Sequence, residues 1–378
     1  MKPMVTMISS LPPIIGLSPY TKGLLGEVAK KVSVNFLGFH HIYPAFLYPG
    51  KITDPTSVPV EETSTLSIKN VLNWYNPFGW IYQAFQISTP VIHAQWWSYP
   101  LAPLYITVLG INRLRGKKIL LTVHNVKPHE RSFLKEFFNR SVFRLGHEFI
   151  VHTPENKEAL KKIIGNKTIH VIPHGLIEVP RTGLTKSQAR EKLGINSDDT
   201  VLLCFGHIRE YKGLDTALQS LALIKNQKCK LLIAGNCWEK WEKYESLIKE
   251  LKLEDRVILK IGYIETSEIE SILTAADIAI LPYKKFDAQS GVGSLFLSYE
   301  LPMVVSKTGG LPNYVSDEHC VIEPGDVNDL ARKVQTILDD PSLFKKLIND
   351  MELKRKELSW STIADQTVAV YNSMTGER

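Results

Sequence analysis

Short apolar runs alternate with longer segments of helical periodicity along the whole chain. Val201–Phe205 is one such run, and the apolar residues of Leu214–Ile224 then recur at helical spacing. Runs of this kind are typical of strands buried in a parallel sheet, and their alternation with helices predicts doubly wound α/β sheets. The pattern predicts strands at Val5–Ile8, Val32–Phe36, Val91–His93, Ile119–Val123, Phe149–Val151, His170–Ile172, Val201–Phe205, Lys230–Ile233, Val257–Lys260, Ile278–Leu281 and Met303–Val305.

The length of the chain indicates two domains. At 378 residues it exceeds the size at which one hydrophobic core usually stops growing. The stretch Glu178–Gly183 contains proline and glycine without periodicity and predicts a linker. We therefore expect residues 1–177 and 183–358 to form separate Rossmann-like domains.

Two cations follow directly after one of the predicted strands. The loop Gly206–Gly213 reads GHIREYKG, so Arg209 and Lys212 are expected at the carboxyl edge of a sheet, where open α/β folds bind ligands. Arginine offers a planar fork of donors and lysine a movable charge, and both suit phosphate oxygens. The loop predicts a diphosphate site, although a solvated loop with two surface cations has the same pattern.

A second loop of small residues precedes a short predicted helix. Its residues are Gln289, Ser290, Gly291, Val292 and Gly293. Small residues at a helix start leave the first amide N–H groups accessible to an anion, and the helix dipole favours a phosphate there. Such a loop alone more often marks a turn, but two phosphate-suited loops on neighbouring strand ends support each other.

The two loops belong to a longer series of matching motifs. The series in the second half comprises Gly206 with Arg209, Lys212 and Gly213, then Leu231–Gly235, Gly262–Ile264, Ala275–Asp277, Pro282–Tyr283, Ser290–Val292, Pro302–Val305 and Gly309–Pro312; a weaker series in the first half comprises His93–Trp97, Thr122–Asn125, Pro128–Glu130 and Ile172–Gly175. With these motifs the chain resembles the retaining glycosyltransferases of the GT-B fold, glycosyltransferase family 4.

The resemblance implies two Rossmann-like domains facing across a cleft, with the nucleotide-diphosphate sugar on the second domain and the acceptor on the first. It implies contacts to the base from the backbone at Tyr263 and Ile264, and a role for His124 in binding or orienting a hydroxyl of the donor sugar. It also implies that the final helix, near residues 360–378, packs back on the first domain. A histidine that ends a strand is, by itself, more often structural.

The chain departs from the family pattern at two acidic positions. Most members carry two glutamates eight residues apart around the phosphate helix, one near the donor sugar and one on the ribose. Those positions fall on Asp287 and Leu295. Asp287 retains a carboxylate for the sugar, whereas Leu295 cannot accept a hydrogen bond from a ribose hydroxyl.

No metal or other cofactor is expected. No Asp-x-Asp pair ends a predicted strand, and the histidines lack metal-ligand spacing. Arg209, Lys212 and the amides after Ser290 can neutralise the leaving diphosphate instead. The family's retention of configuration implies front-face attack by the acceptor hydroxyl, because no residue is an obvious covalent nucleophile.

Composition restricts the compartment and the partners. The four cysteines form no Cys-x-x-Cys pair and predict reduced thiols in a cytoplasmic protein. The net charge of +6 is spread along the chain without a nucleic-acid-binding signature, so no nucleic acid partner is expected. The expected partners are a nucleotide-diphosphate sugar and a glycan or lipid-linked acceptor.

Two aromatic segments suggest peripheral contact with an anionic membrane, at its inner face. Arg131–Leu145 reads as a basic amphipathic helix, which either lies on lipid or, more ordinarily, packs on its own sheet. The aromatic stretch Trp74–Trp80 either caps an acceptor pocket or anchors at a lipid interface.

Two other functions fit the same fold. A non-catalytic sugar-nucleotide-binding subunit would keep the cation pair but lack turnover, and Leu295 is its best support. A sugar-nucleotide epimerase would convert the donor with no acceptor present.

Overall fold

The computed structural model describes residues 4–14, 16–42, 53, 58–126, 133–177, 179, 181–286 and 290–376. The chain divides into two compact units. Unit 1 comprises residues 1–175 and 358–378, and unit 2 comprises residues 176–357. None of the described helices has the length and apolar composition needed to cross a bilayer.

Unit 1 is built on a parallel sheet of seven strands in the order β3-β2-β1-β4-β5-β6-β7. The strands are β1 (Val5–Ile8), β2 (Val34–His41), β3 (Leu66–Asn73), β4 (Val91–Trp96), β5 (Lys118–Val123), β6 (Glu148–Val151) and β7 (Thr168–Val171). Its helices are α1 (Ser18–Val28), α2 (Pro77–Gln86), α3 (Ala102–Leu114), α4 (Phe133–Leu145), α5 (Pro154–Ile164) and α13 (Trp360–Thr375).

Helices cover both faces of this sheet. One apolar core includes Trp80 of α2, Leu104 of α3 and Val142 of α4. The other core joins Leu24 of α1 to Tyr371 of α13. The apolar face of α4 therefore packs on its own sheet, which is the more ordinary of the two interpretations of this helix.

Unit 2 is built on a second parallel sheet, of six strands in the order β10-β9-β8-β11-β12-β13. The strands are β8 (Thr200–Phe205), β9 (Cys229–Gly235), β10 (Val257–Ile261), β11 (Ile278–Leu281), β12 (Met303–Ser306) and β13 (Val321–Ile322). The helices are α6 (Lys186–Leu193), α7 (Leu214–Leu223), α8 (Glu242–Glu250), α9 (Thr266–Ala275), α10 (Gly291–Ser298), α11 (Val327–Asp339) and α12 (Pro341–Glu357).

The predicted fold class, two doubly wound α/β sheets, is confirmed. Each predicted strand is present, Val5–Ile8 and Ile278–Leu281 with the predicted ends and the others with shifted ends. Two strands escaped prediction. Leu66–Asn73 (β3) has one buried face and mixed polarity, and Val321–Ile322 (β13) has only two residues. Both lie at sheet edges, where a strand needs fewer apolar residues.

The carboxyl end of the segment predicted as a linker is held against helix α9 in unit 2. The buried carboxylate of Glu270 accepts hydrogen bonds from the backbone N–H groups of Thr182, Gly183 and Leu184 and from the Thr182 hydroxyl, at 2.7–3.2 Å. The Thr182 hydroxyl and these amides lower the pKa of Glu270 to about 2.

Glu270→Gln should destabilise unit 2 at neutral pH. The amide keeps one acceptor oxygen but loses the charge, and a hydrogen bond to a charged group contributes about 2 kcal/mol. Because the folded-state pKa lies below the ordinary value of about 4.3, the stabilisation is present above that pH and is lost as the pH falls towards 2. Urea unfolding at pH 7 and pH 3 measures both effects.

Glu323→Gln is the control, because the Glu323 side chain forms only an exposed ion pair, with Lys307 at 3.6 Å, among the described residues. We expect this change to alter the free energy of unfolding by less than about 1 kcal/mol. Equal effects of the two substitutions at pH 7 would contradict the role given to Glu270.

Candidate functional site

The strand order of unit 2 reverses between β8 and β11. At such a switch point the connections leave the sheet in opposite directions and open a crevice at the carboxyl ends of the strands, where doubly wound folds bind ligands. Gly206–Gly213 follows β8, and Pro282 and Tyr283 follow β11. The first predicted phosphate loop and the connection that follows β11 therefore flank the switch point of their own sheet.

Lys212 ends a single 3₁₀ turn, Glu210–Lys212, that closes the loop after β8. Its ammonium lies 5.5 Å from the centroid of the Tyr283 ring. Burial, and secondarily the nearby Arg209 guanidinium, lower the pKa of Lys212 to about 8. No carboxylate pairs with it among the described residues. A partly buried cation of this kind favours an anion beside it.

Arg209 is held by an aromatic ring from the neighbouring strand connection. Its guanidinium carbon lies 4.1 Å from the centroid of the Trp238 ring, a cation–π distance. The loops after β8 and β9 run side by side, because Ile208 donates to the Asn236 carbonyl at 2.9 Å and Trp238 donates to the Ile208 carbonyl at 3.1 Å.

Sequence reasoning did not single out Trp238. The signal was an aromatic residue three positions after Gly235, where a buried strand ends. Its position after β9 places Trp238 near the carboxyl edge of the sheet. Its contact with Arg209, however, depends on β9 lying next to β8, which the sequence does not show.

The second predicted loop leads into α10. The Ser290 hydroxyl caps this helix by accepting a hydrogen bond from the Gly293 amide at 3.2 Å. A Cβ atom built on Gly206 would lie 3.0 Å from a methyl group of Val292 and 3.5 Å from the Lys212 ammonium. The structure thus brings the start of α10 to the same place as Gly206 and Lys212.

Other predicted donor-site residues lie farther away or outside the described part of the chain. Tyr263 and Ile264 follow β10, which lies two strands from β8, and Tyr263 is 74% exposed. Asp287 and Gln289 lie outside the described residues. Leu295 is buried in α10, so this position offers a packed methyl surface and no hydrogen-bond acceptor.

In unit 1, His124 follows β5 and contacts other rings. Its Nδ1 atom lies 3.1 Å from His152 Nε2, and its ring lies 4.7 Å from that of Tyr20. Its Nε2 atom is buried and has no hydrogen-bond partner among the described residues. Burial, together with His152, His174 and His93, lowers the pKa of His124 well below its ordinary value. The ring is therefore neutral at neutral pH, and one of its nitrogens is buried without a partner among the described residues.

Two other strand-end histidines join His124 around Tyr20. The rings of His152 and His174 lie 5.2 and 4.8 Å from that of Tyr20. Burial lowers the pKa of His152 to about 4 and also lowers the pKa of His174. Nowhere in the described chain do three His, Cys, Asp or Glu side chains form a group that could hold a metal ion.

Comparison with known proteins finds a family match in the second half of the chain. Residues 185–353, within unit 2, match the family model described as Glycosyl transferases group 1. This match places unit 2 in the glycosyl transferase group 1 family. The phosphate-suited loops of unit 2 lie inside the matched segment.

Two mannosyltransferases are among its relatives. The chain is 25% identical over 265 residues to the GDP-mannose-dependent monoacylated alpha-(1-6)-phosphatidylinositol monomannoside mannosyltransferase of Corynebacterium glutamicum, covering 65% of this chain and 67% of the relative. It is 27% identical over 217 residues to the MMP alpha-(1->4)-mannosyltransferase of Mycolicibacterium hassiacum, covering 55% and 49%. The chain thus spans about half to two thirds of the length of these relatives.

Solved structures share the fold over the whole chain. Sucrose-phosphate synthase from Thermosynechococcus elongatus has a TM-score of 0.66 at 18% identity and covers 100% of both chains. HepE from Anabaena, solved in complex with UDP, has a TM-score of 0.66 at 15% identity and covers 98% of this chain and 100% of its own. These likenesses show a GT-B-like fold.

Gly235→Ala should distort the junction between the loops after β8 and β9. Gly235 has φ of +145°, and a Cβ atom there would lie 2.1 Å from the Gly206 carbonyl oxygen. Overpacking of this kind costs about 1–3 kcal/mol in addition to backbone strain. The control is Gly262→Ala, where φ is +136° but no atom lies within 4 Å. Urea unfolding should show the larger loss for Gly235→Ala, and equal losses would contradict the close approach.

Proposed function

We propose that the protein transfers a hexose from a nucleotide-diphosphate sugar to a hydroxyl acceptor with retention of configuration. The observation that carries the proposal is the pair Arg209 and Lys212, which has no carboxylate partner among the described residues and lies with the start of α10 at the switch point of unit 2. A diphosphate supplies the negative charge that this arrangement lacks.

In the proposed reaction the acceptor oxygen bonds to the anomeric carbon on the face that the diphosphate leaves. The bond from that carbon to the diphosphate oxygen breaks, and the acceptor proton passes to the departing phosphate. Arg209, Lys212 and the first amides of α10 stabilise the charge that develops on the diphosphate. These groups need no metal ion, so the assay is run in EDTA and should retain activity.

We also propose that His124 binds a hydroxyl of the donor sugar through its unpartnered Nε2 atom. The neutral ring supports this, because a neutral imidazole can donate or accept with an uncharged hydroxyl. Tyr263 and Ile264 are proposed to contact the base, and Asp287 to lie near the sugar. Leu295 leaves the ribose without a carboxylate at that position.

The acceptor is proposed to be a glycan or a lipid-linked sugar, and the protein to work in the cytoplasm at the inner face of an anionic membrane. The relative from Corynebacterium glutamicum supports a lipid-linked acceptor, because its name specifies a phosphatidylinositol monomannoside. The four free cysteines support a reducing compartment.

A donor screen tests the proposal. Thermal shift with UDP-, GDP- and ADP-sugars finds the donor, because a ligand of the folded state raises the unfolding temperature. Release of nucleoside diphosphate that requires a hydroxyl acceptor supports transfer. Conversion of the sugar without acceptor would indicate an epimerase, and binding without turnover over a broad acceptor panel would indicate a non-catalytic subunit; either result would overturn the proposal.

Arg209→Ala and Lys212→Ala should each lower turnover about a hundredfold or more, because each removes a group worth roughly 3 kcal/mol to the developing charge. The matched control is Lys228→Ala, since Lys228 precedes β9 at the opposite edge of the sheet and pairs with Asp198. Initial rates and circular dichroism are measured for all three variants. Turnover at the wild-type level in both site variants would contradict the diphosphate assignment.

The affinity for nucleoside diphosphate should fall as the pH rises through about 8. Burial sets the pKa of Lys212 near this value, so above it the free protein must take up a proton before the ammonium can pair with phosphate. The expected loss between pH 7 and pH 9 is about tenfold. Lys212→Arg keeps its charge and should remove the pH dependence. Calorimetric titration with UDP or GDP measures both, and a flat wild-type profile would contradict the expectation.

A further inference from the structure

The helix α2 has apolar residues on the face that is exposed to solvent. Phe78, Ile81, Tyr82 and Phe85 are 85%, 41%, 61% and 58% exposed, and their spacing of three, one and three residues places them on one stripe of the helix. The opposite face is also apolar, because Trp80 and Ala84 are buried in the core. A surface helix ordinarily presents polar residues to water. A contiguous apolar stripe that is exposed instead indicates an interaction surface.

The stretch of sequence that contains this stripe carries charge of one sign. Residues 63–129 contain no aspartate or glutamate, although the 378-residue chain has 39 of them. The charged residues of this stretch are Lys69, Arg113, Arg115, Lys117, Lys118 and Lys127. The helices α2 and α3 pack together, so they form a surface free of carboxylates of their own.

Two cations lie at the carboxyl end of α2. Arg115 donates to the Ala84 carbonyl at 2.7 Å, and its guanidinium carbon lies 5.6 Å from the centroid of the Phe85 ring. The Lys117 ammonium donates to the Ser88 carbonyl at 2.8 Å. Neither cation has a carboxylate partner among the described residues. The apolar stripe therefore continues into a positive patch.

We infer that this stripe and its basic patch form a docking surface for an anionic phospholipid bilayer. Aromatic and aliphatic side chains along one face of a helix enter the interface between lipid head groups and acyl chains, and Arg and Lys beside them pair with lipid phosphates. Charge complementarity favours lipid over a protein partner, because a bilayer offers many negative groups to a stretch of chain, residues 63–129, that carries six cations and no carboxylate.

The surface differs from the one that the sequence suggested first. The apolar residues Val142 and Phe143 of α4 are buried in the core of unit 1, so they are not available to lipid. The aromatic stretch Trp74–Trp80 contributes to both faces of α2. The Trp80 ring is buried and donates to the Asn73 carbonyl at 2.6 Å, whereas Phe78 is exposed to solvent.

Vesicle flotation tests the inference without donor or acceptor, so its result does not depend on the proposed sugar transfer. The wild-type protein should float with vesicles of phosphatidylcholine and phosphatidylglycerol and remain at the bottom with phosphatidylcholine alone. Phe78→Ser combined with Phe85→Ser should lower the partition coefficient at least tenfold. Lys117→Gln should lower it by about fivefold, the effect of one lost charge, and added salt should act in the same direction.

The control is Leu353→Ser, because Leu353 is 65% exposed on α12 in unit 2; it should leave flotation unchanged. Thermal unfolding of each variant verifies that it is folded. Absence of wild-type binding to the anionic vesicles, or equal binding by the folded Phe78/Phe85 variant, would overturn the inference. So would a wild-type dimer in light scattering that this variant converts to a monomer while vesicle binding persists, because the stripe would then be an interface between two copies.

Discussion

Unit 2 depends on one constraint: Arg209 and Lys212 lie at the same point of the fold. Neither has a carboxylate partner among the described residues. Burying part of a lysine disfavours its charged form, and a neighbouring guanidinium disfavours it further. The fold maintains this arrangement by rigid means: a strand end at Gly206, a single 3₁₀ turn before Gly213, and the Trp238 ring against Arg209. An anion that binds there offsets the free-energy cost of keeping the two cations unpaired and close together.

In unit 1, the strand-end histidines are neutral, unlike the cations of unit 2. The imidazole rings of His124, His152 and His174 gather around Tyr20, and burial lowers the pKa of each so that all three are neutral at neutral pH. His93 behaves likewise, with hydrogen bonds to the Tyr371 and Thr122 hydroxyls and a pKa lowered to about 3. Neutral rings of this kind suit hydroxyl groups, whereas the cations of unit 2 suit phosphate.

Helix α2 has apolar residues on both its buried and its exposed face. Its inner face stabilises unit 1, and its outer stripe adds apolar surface that the core does not need. Removing such a stripe from water is favourable only when something covers it. The carboxylate-free sequence around it determines the sign of the charge that a partner should carry.

The sequence by itself determined the two sheets, most strands and the residue types for phosphate, because period and composition are local properties and Gly206, Arg209, Lys212 and Ser290 each follow a strand or precede a helix. Tertiary structure alone decided which strand ends are neighbours, since strand order depends on pairing between distant segments. It therefore decided that Trp238 contacts Arg209, that three histidines surround Tyr20, and that the pKa of Lys212 is lowered. Exposure is equally non-local: the sequence showed an aromatic stretch at Trp74–Trp80, but only packing decided that Trp80 faces the core and Phe78 faces solvent.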